Sequence, residues 1–266
     1  MSGAGRFVVP GFAILVLCFL AAPIVIVAAA SLSASGDVRI PFGPVSFAAY
    51  AEFVTSPKWI SAIGISTLVA LISAAITTVV AVMVAVPLTR VNFRGRSAVE
   101  FSILSPLILP HAALALALYS VVYSFGALGS FRGVLLGHIV VTLPFAFGPV
   151  FAAMHRYDRA LDEAGMSLGA RPGTVFRRIT VPVLRPGISA GFLFAFIMSF
   201  DEVTVTMFLK GPLFTTLPVQ IFSEVQEGSA RIVPAVSTSV ILITILFIFV
   251  INRIVGLNVF VDREHS

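Results

Sequence analysis

The chain has 266 residues, of which 58% are hydrophobic and only 11% charged, with a mean hydropathy of +1.06. A soluble domain carries about 25% charged residues, so this composition excludes a water-soluble protein and predicts one largely covered by lipid. The net charge of +5 does not indicate a nucleic-acid partner, because the basic residues lie between long apolar runs and form no stripe interleaved with aromatics.

Six apolar stretches follow one another along the chain, and each can supply the roughly 20 residues that a membrane-spanning helix needs. We predict spans at about residues 7–34, 60–89, 101–123, 134–154, 186–209 and 232–253. The stretches are too long and too uniformly apolar for barrel strands, so the predicted fold is all-α. The first stretch exceeds a signal-peptide core of about 7–15 residues, which favours an uncleaved first helix. Short loops favour a single membrane domain over residues 1–266.

The distribution of Lys and Arg predicts the orientation of the chain in the membrane. With the N-terminus placed in the cytoplasm, twelve of the 17 basic residues fall in the inner segments. Cytoplasmic loops carry an excess of Lys and Arg, so we predict that both termini are cytoplasmic.

Prolines and histidines lie within the third and fourth predicted spans. We expect helix kinks at the four prolines, which are Pro106, Pro110, Pro144 and Pro149. His111 and His138 are isolated in sequence and supply neither a metal-ligand set nor a nucleophile–base pair. We therefore expect satisfied polar residues inside a helix bundle, and we assign no catalytic residue and no metal site.

The predicted cytoplasmic segment of residues 155–185 differs from every other loop, because it holds half of the inner basic residues and has helix start and stop signals. We predict a first short helix over Asp158–Leu168, ended by Gly169. A second short helix, Pro172–Arg178, follows and is stopped by Pro182 and Pro186. Two short helices joined at a glycine indicate a rigid docking element, whereas an ordinary solvated loop needs no such punctuation.

Within this segment the chain resembles the signature of permeases in binding-protein-dependent ABC importers. That signature is Glu-Ala-Ala, three residues, Gly, nine residues, Ile, any residue, Leu-Pro. The matching positions, with the spacing kept throughout, are Glu163, Ala164, Gly165, Gly169, Ile179 and Pro182. Gly165 replaces the second alanine and Val181 replaces the leucine. Glycine at position 165 is expected to loosen the first short helix slightly.

The resemblance implies a type I importer permease fold of six transmembrane helices in the bacterial inner membrane. It assigns these six positions to ATPase coupling, in a loop that forms the coupling helix and seats on a partner ATPase. It also implies two ATP-binding-cassette subunits, which carry the ATP and Mg, a second and related permease chain, and a periplasmic solute-binding protein. This chain cannot itself cradle ATP phosphates, because neither Lys58 nor Lys210 follows a glycine.

Two acidic residues, Asp201 and Glu202, lie in the outer half of the fifth predicted span. Acids inside a membrane are costly and usually functional, so the pair can attract a cationic solute; alternatively, the helix ends near Phe200 and the pair lies in interfacial water. The stretch Ser199–Glu202, with Gly211-Pro212 and Leu217-Pro218 after it, resembles permeases for spermidine and putrescine. That resemblance implies a polyamine or similar organic cation, and a permease pair made of two different chains; an aminoalkylphosphonate is the alternative.

A secondary transporter driven by an ion gradient is the main competing interpretation. It predicts paired charges near the bilayer midplane and an inverted repeat. The sequence offers one acidic pair, off centre, and no obvious repeat.

Overall fold

The computed structural model describes residues 5–34, 44–212, 214–228 and 230–255, and nearly all of them are helical. Contacts divide the chain into two compact units: Met1–Ser61 with Gln220–Phe247, and Ala62–Val219 with Ile248–Ser266.

The helices run in chain order as α1 (Gly5–Ser31), α2 (Ala48–Thr55), α3 (Pro57–Arg90), α4 (Arg96–Leu104), α5 (His111–Ser124), α6 (Phe131–His155), α7 (Ala160–Ser167), α8 (Pro172–Val175), α9 (Val181–Phe200), α10 (Thr204–Leu209), α11 (Leu217–Gln226) and α12 (Val233–Val255). Short 3-10 turns cover Ser105–Leu107 and Ala230–Ile232, and a π-turn covers Phe176–Thr180.

The first unit contains α1, an apolar helix with an exposed surface, and a small cluster of packed aromatic residues. Large apolar side chains along α1, such as Phe12 and Phe19, are exposed, as expected of a helix facing hydrocarbon. In contrast, Trp59 is buried, and its ring packs edge-on against the ring of Phe53 with 6.0 Å between the ring centroids.

The core of the second unit lies where α3, α5, α6 and α10 meet. Its buried side chains are small or branched and come from all four helices: Val69, Leu114, Ala115, Leu118, Val122, Val134, Val141, Val205 and Leu209. Helix α10, although only six residues long, therefore contributes directly to the core of this unit.

Helices α6 and α9 approach closely because α9 presents two glycines one turn apart, Gly187 and Gly191. A Cβ added at Gly187 would lie 2.4 Å from the Cβ of Ala153, and one at Gly191 would lie 2.6 Å from the carbonyl oxygen of Ala146. Small residues at this four-residue spacing let two membrane helices pack backbone against backbone.

The third predicted span, at residues 101–123, is not a single helix. The run Arg96–Leu107 and the following helix His111–Ser124 meet at an angle of 109°. The sequence predicts a kink at Pro106 and Pro110, whereas the structure has two separate helices. Pro110 has extended backbone angles at the N-terminus of α5 (φ −56°, ψ 129°) and brings no N–H for a helical bond to the preceding turn.

The fifth predicted span, at residues 186–209, differs from the structure at both ends. Helical structure runs without interruption from Pro172 to Phe200, so Pro182 and Pro186 do not stop the second short helix. The π-turn accommodates Pro182, because the Val181 N–H bonds to the Phe176 carbonyl and Pro182, which has no N–H, follows directly; Pro186 lies inside α9. At the other end α9 ends at Phe200, and α10 is separate.

Four helices in the described part of the chain are long and apolar enough to cross a membrane, and the bent pair adds a fifth when it is counted as one span. The apolar stretch Val233–Leu246 of α12 is a shorter helix of the same character. The number of six spans stays a prediction.

Candidate functional site

The segment of residues 155–185 contains the predicted short helix, α7, over Ala160–Ser167. Its C-terminus closes as the sequence predicts. Gly169 has a positive φ of 85°, and its N–H bonds to the Met166 carbonyl, while the N–H of Ala170 bonds to the Gly165 carbonyl. This pair of bonds is the Schellman arrangement, which favours glycine at the left-handed position.

Helix α7 and the residue that follows it expose large apolar side chains. Leu161 and Met166 of α7 are exposed, and Leu168, directly after the helix, reaches 90% exposure. The carboxylate residue Glu163 and its neighbour Ala164 are also exposed. The predicted apolar positions 161, 164 and 168 therefore share the exposed side rather than packing onto the rest of this chain.

The buried side of α7 is held against the following turn. Gly165 is buried, and a Cβ there would lie 2.8 Å from Ile179 Cδ1 and 3.2 Å from Val175 Cγ2. Glycine at this position thus permits close packing, which is a structural reason for the departure from the family pattern. Pro182 lies further along, in the first turn of α9.

A buried carboxylate, Asp162, lies at the centre of this inner side. Its Oδ2 is 2.6 Å from Arg90 Nη2, and its Oδ1 accepts hydrogen bonds from the Tyr157 hydroxyl at 2.6 Å and from the Thr180 hydroxyl at 3.0 Å. Burial, together with the hydrogen bond to Asp162, raises the pKa of Tyr157, so the phenol stays protonated and donates. Sequence reasoning missed this cluster, because Arg90 lies 72 residues before Asp162 and no spacing rule connects them.

A basic cleft lies beside α8. It has a volume of about 440 Å³ and is lined by Arg171, Gly173, Thr174, Arg177 and Arg178. The segment thus exposes apolar side chains at α7 and a positively charged cleft beside α8.

The two acids of the fifth predicted span have different surroundings. Asp201 is exposed at the end of α9, whereas Glu202 is buried. Glu202 Oε1 accepts a hydrogen bond from the Val205 N–H at 2.8 Å, and its Oε2 is 3.9 Å from His111 Nδ1. The helix therefore ends near Phe200, as one of the two interpretations expected, but Glu202 is enclosed by protein.

His138 joins the same region from α6. Its Nδ1 is 2.7 Å from the Ser199 hydroxyl and its Nε2 is 2.8 Å from the Thr206 hydroxyl, while Ser73 donates to Ser199 at 2.9 Å. Both ring nitrogens are satisfied, which agrees with a structural polar residue inside the bundle. Within the described residues, no three His, Cys, Asp or Glu side chains form a group able to hold a metal ion.

Sequence comparison places these features in a family. Residues 77–259 match the family described as "Binding-protein-dependent transport system inner membrane component". The chain is 32% identical over 230 residues to the putrescine transport system permease protein PotI of Escherichia coli K12, covering 84% of this chain and 82% of the relative. It is 28% identical over 244 residues to the spermidine/putrescine permease protein PotC of the same organism, covering 92% of each.

Solved structures share the fold. A bacterial ABC transporter that imports the acidic polysaccharide alginate aligns with a TM-score of 0.71 at 17% identity, covering 95% of this chain and 98% of that chain. The alginate transporter in complex with a pentasaccharide-bound periplasmic protein aligns with a TM-score of 0.69 at 18% identity, covering 94% and 92%. The resemblance to importer permeases and the all-α membrane fold are both confirmed. The chain belongs to the family of inner-membrane permease components of binding-protein-dependent ABC importers, whose members are not themselves catalytic.

Proposed function

We propose that this chain forms half of the translocation pathway of an ATP-driven importer for a polyamine or a similar organic cation. Segment 155–185 is its coupling element and seats on an ATP-binding-cassette subunit. Two such subunits bind ATP and Mg, a second and related permease completes the pathway, and a periplasmic protein delivers the solute. The complex lies in a bacterial inner membrane, with the segment on the cytoplasmic side.

The observation that carries this proposal is the arrangement of α7. An eight-residue helix is marginal by itself, so its contacts must hold it in place. Here the buried residues are Asp162 and Gly165, while Leu161, Met166 and Leu168 are exposed. Rigidly held apolar side chains surrounded by polar residues are typical of a protein-binding surface. Glu163 lies on the exposed side, where it can make the polar contact that the family pattern implies.

The docking role predicts that Leu168→Asp and Glu163→Lys weaken the attachment of the ATPase subunit. A charge placed at the centre of an apolar contact costs about 2 kcal/mol, so affinity falls about thirtyfold. Co-purification of the ATPase with the permease from detergent extracts measures this. Arg156→Gln is the matched control, because Arg156 is exposed in the same segment but lies four residues before α7 begins, whereas Leu168 directly follows the helix. Normal ATPase recovery with both variants would refute the docking role.

The preference for a polyamine rests on two supports. Both E. coli relatives are named as putrescine or spermidine/putrescine permeases. In addition, Asp201 is an exposed acid at the break between α9 and α10, where a cation can approach it. Glu202 is the second residue of the solute pathway, and it acts through the exposed His111 side chain that lies beside its carboxylate. An aminoalkylphosphonate, carried by the same machinery, is the alternative solute. An ion-gradient-driven carrier is the less favoured mechanism, and uptake by the purified chain alone would support it.

A further inference from the structure

A buried polar cluster joins α7 to the ends of three long helices. Arg90 is the last residue of α3, Tyr157 lies two residues beyond α6, and Thr180 directly precedes α9. All three side chains contact the single carboxylate of Asp162, which is 8% exposed. Each group comes from a different helix end, so one residue of α7 contacts all three helices at once.

The contacts around Asp162 are strong and directional. The 2.6 Å distance to Arg90 Nη2 is that of a charge-assisted hydrogen bond, and the same nitrogen lies 3.2 Å from the Thr180 hydroxyl. The guanidinium also lies over the Tyr157 ring, 5.7 Å from its centroid. A further bond links Arg159 Nη2 to the carbonyl oxygen of Thr89, one residue before the end of α3.

Neighbouring residues of α7 thus differ in their surroundings. Asp162 is buried in the cluster, whereas Glu163 is on the exposed side. A short helix held by one partly buried ion pair, with room for no more than a glycine against Ile179, cannot slide freely over the helix ends. The cluster therefore offers a path by which a force on the exposed side can reach α3, α6 and α9.

We propose that Asp162 is a positioning residue that transmits movement of the docked α7 to α3, α6 and α9. The inference rests on the proposed docking of segment 155–185. It assigns separate tasks to two consecutive residues: Glu163 contacts the ATPase, and Asp162 connects that contact to the membrane helices.

The test uses the complete importer in proteoliposomes, with ATP hydrolysis and uptake of radiolabelled putrescine measured in the same sample. Asp162→Asn removes the charge while keeping the shape of the side chain. We expect the ATPase to co-purify normally and the uptake per ATP hydrolysed to fall about tenfold, a typical size for coupling between sites. Arg90→Gln should lower the ratio similarly. In the double variant, the uptake per ATP hydrolysed should fall no further than in either single variant, because both changes remove the same ion pair.

Asp158→Asn is the matched control. Asp158 is exposed in the same segment, and its carboxylate accepts a hydrogen bond from the Ala160 N–H of that segment, so the ratio should stay near wild type. A wild-type ratio in Asp162→Asn overturns the proposal, and so does loss of ATPase co-purification in that variant. If Asp162→Asn fails to reach the membrane, Tyr157→Phe decides. This change removes one hydrogen bond and keeps the ion pair, and an unchanged ratio there also overturns the proposal. Failure of docking itself is seen separately, through Glu163→Lys.

Discussion

At the scale of single residues, the adjacent acids Asp201 and Glu202 differ in exposure, so the attraction of the solute is best tested at Asp201. Asp201 is exposed, whereas the Glu202 carboxylate accepts a hydrogen bond from the Val205 N–H and lies near the His111 ring. Asp201→Asn should therefore lower the uptake of putrescine by about two- to fivefold, which corresponds to one solvated ion pair of up to about 1 kcal/mol. Uptake kinetics at increasing solute concentration measure the change, which should appear as a higher KM.

Asp201→Glu is the control for this prediction, because it keeps the charge and should transport nearly as wild type. Uptake of an aminoalkylphosphonate, measured with the same variants, tests the alternative solute. Unchanged putrescine uptake in Asp201→Asn would mean that the acid only marks the end of α9.

At this scale the sequence predicts local features and misses distant partners. Gly169 was placed correctly as a helix terminator, because a C-terminal glycine depends only on neighbouring residues. Asp162 was not singled out, since its partners Arg90 and Thr180 are contributed by other helices. No spacing rule connects residues that meet only after the helices pack.

Close packing of α6 against α9 gives the prediction at the scale of helices. In Gly191→Ala the new Cβ would meet the backbone oxygen of Ala146, which cannot move without shifting α6. We expect a loss of about 1–3 kcal/mol in stability, seen as a lower apparent Tm of the detergent-solubilised protein. Gly148→Ala is the matched control: Gly148 lies on α6 and has nothing within 4 Å of a new Cβ. Equal melting of both variants would argue against tight packing at this crossing.

Prolines affect the predicted helix boundaries in different ways. The fourth predicted span, at residues 134–154, lies within α6, although that helix contains Pro144 and Pro149. Pro110, by contrast, separates two helices that meet at 109°. A proline ends a helix or is absorbed by it depending on whether neighbouring backbone groups find other partners, and tertiary packing decides this.

At the scale of the whole molecule, composition alone predicts a membrane protein, and the signature in segment 155–185 predicts the family. Both follow from strong signals, namely a shortage of charged residues and a fixed spacing of six positions. The division of contacts into two units was not predicted, because it depends on which helices pack together. The orientation rests on the positive-inside distribution and is open to a direct test.

The orientation predicts opposite accessibility of two positions. Starting from a Cys18→Ser background, which removes the single natural thiol, Leu168→Cys and Glu227→Cys each place one thiol at an exposed position. A membrane-impermeant maleimide should label position 168 only in inside-out vesicles and position 227 only in right-side-out vesicles, because the two positions lie on either side of one predicted span. The permease is expressed without its ATPase, so that no partner covers Leu168. Labelling of position 168 from the outside would place α7 in the periplasm, where no cytoplasmic ATPase could bind it.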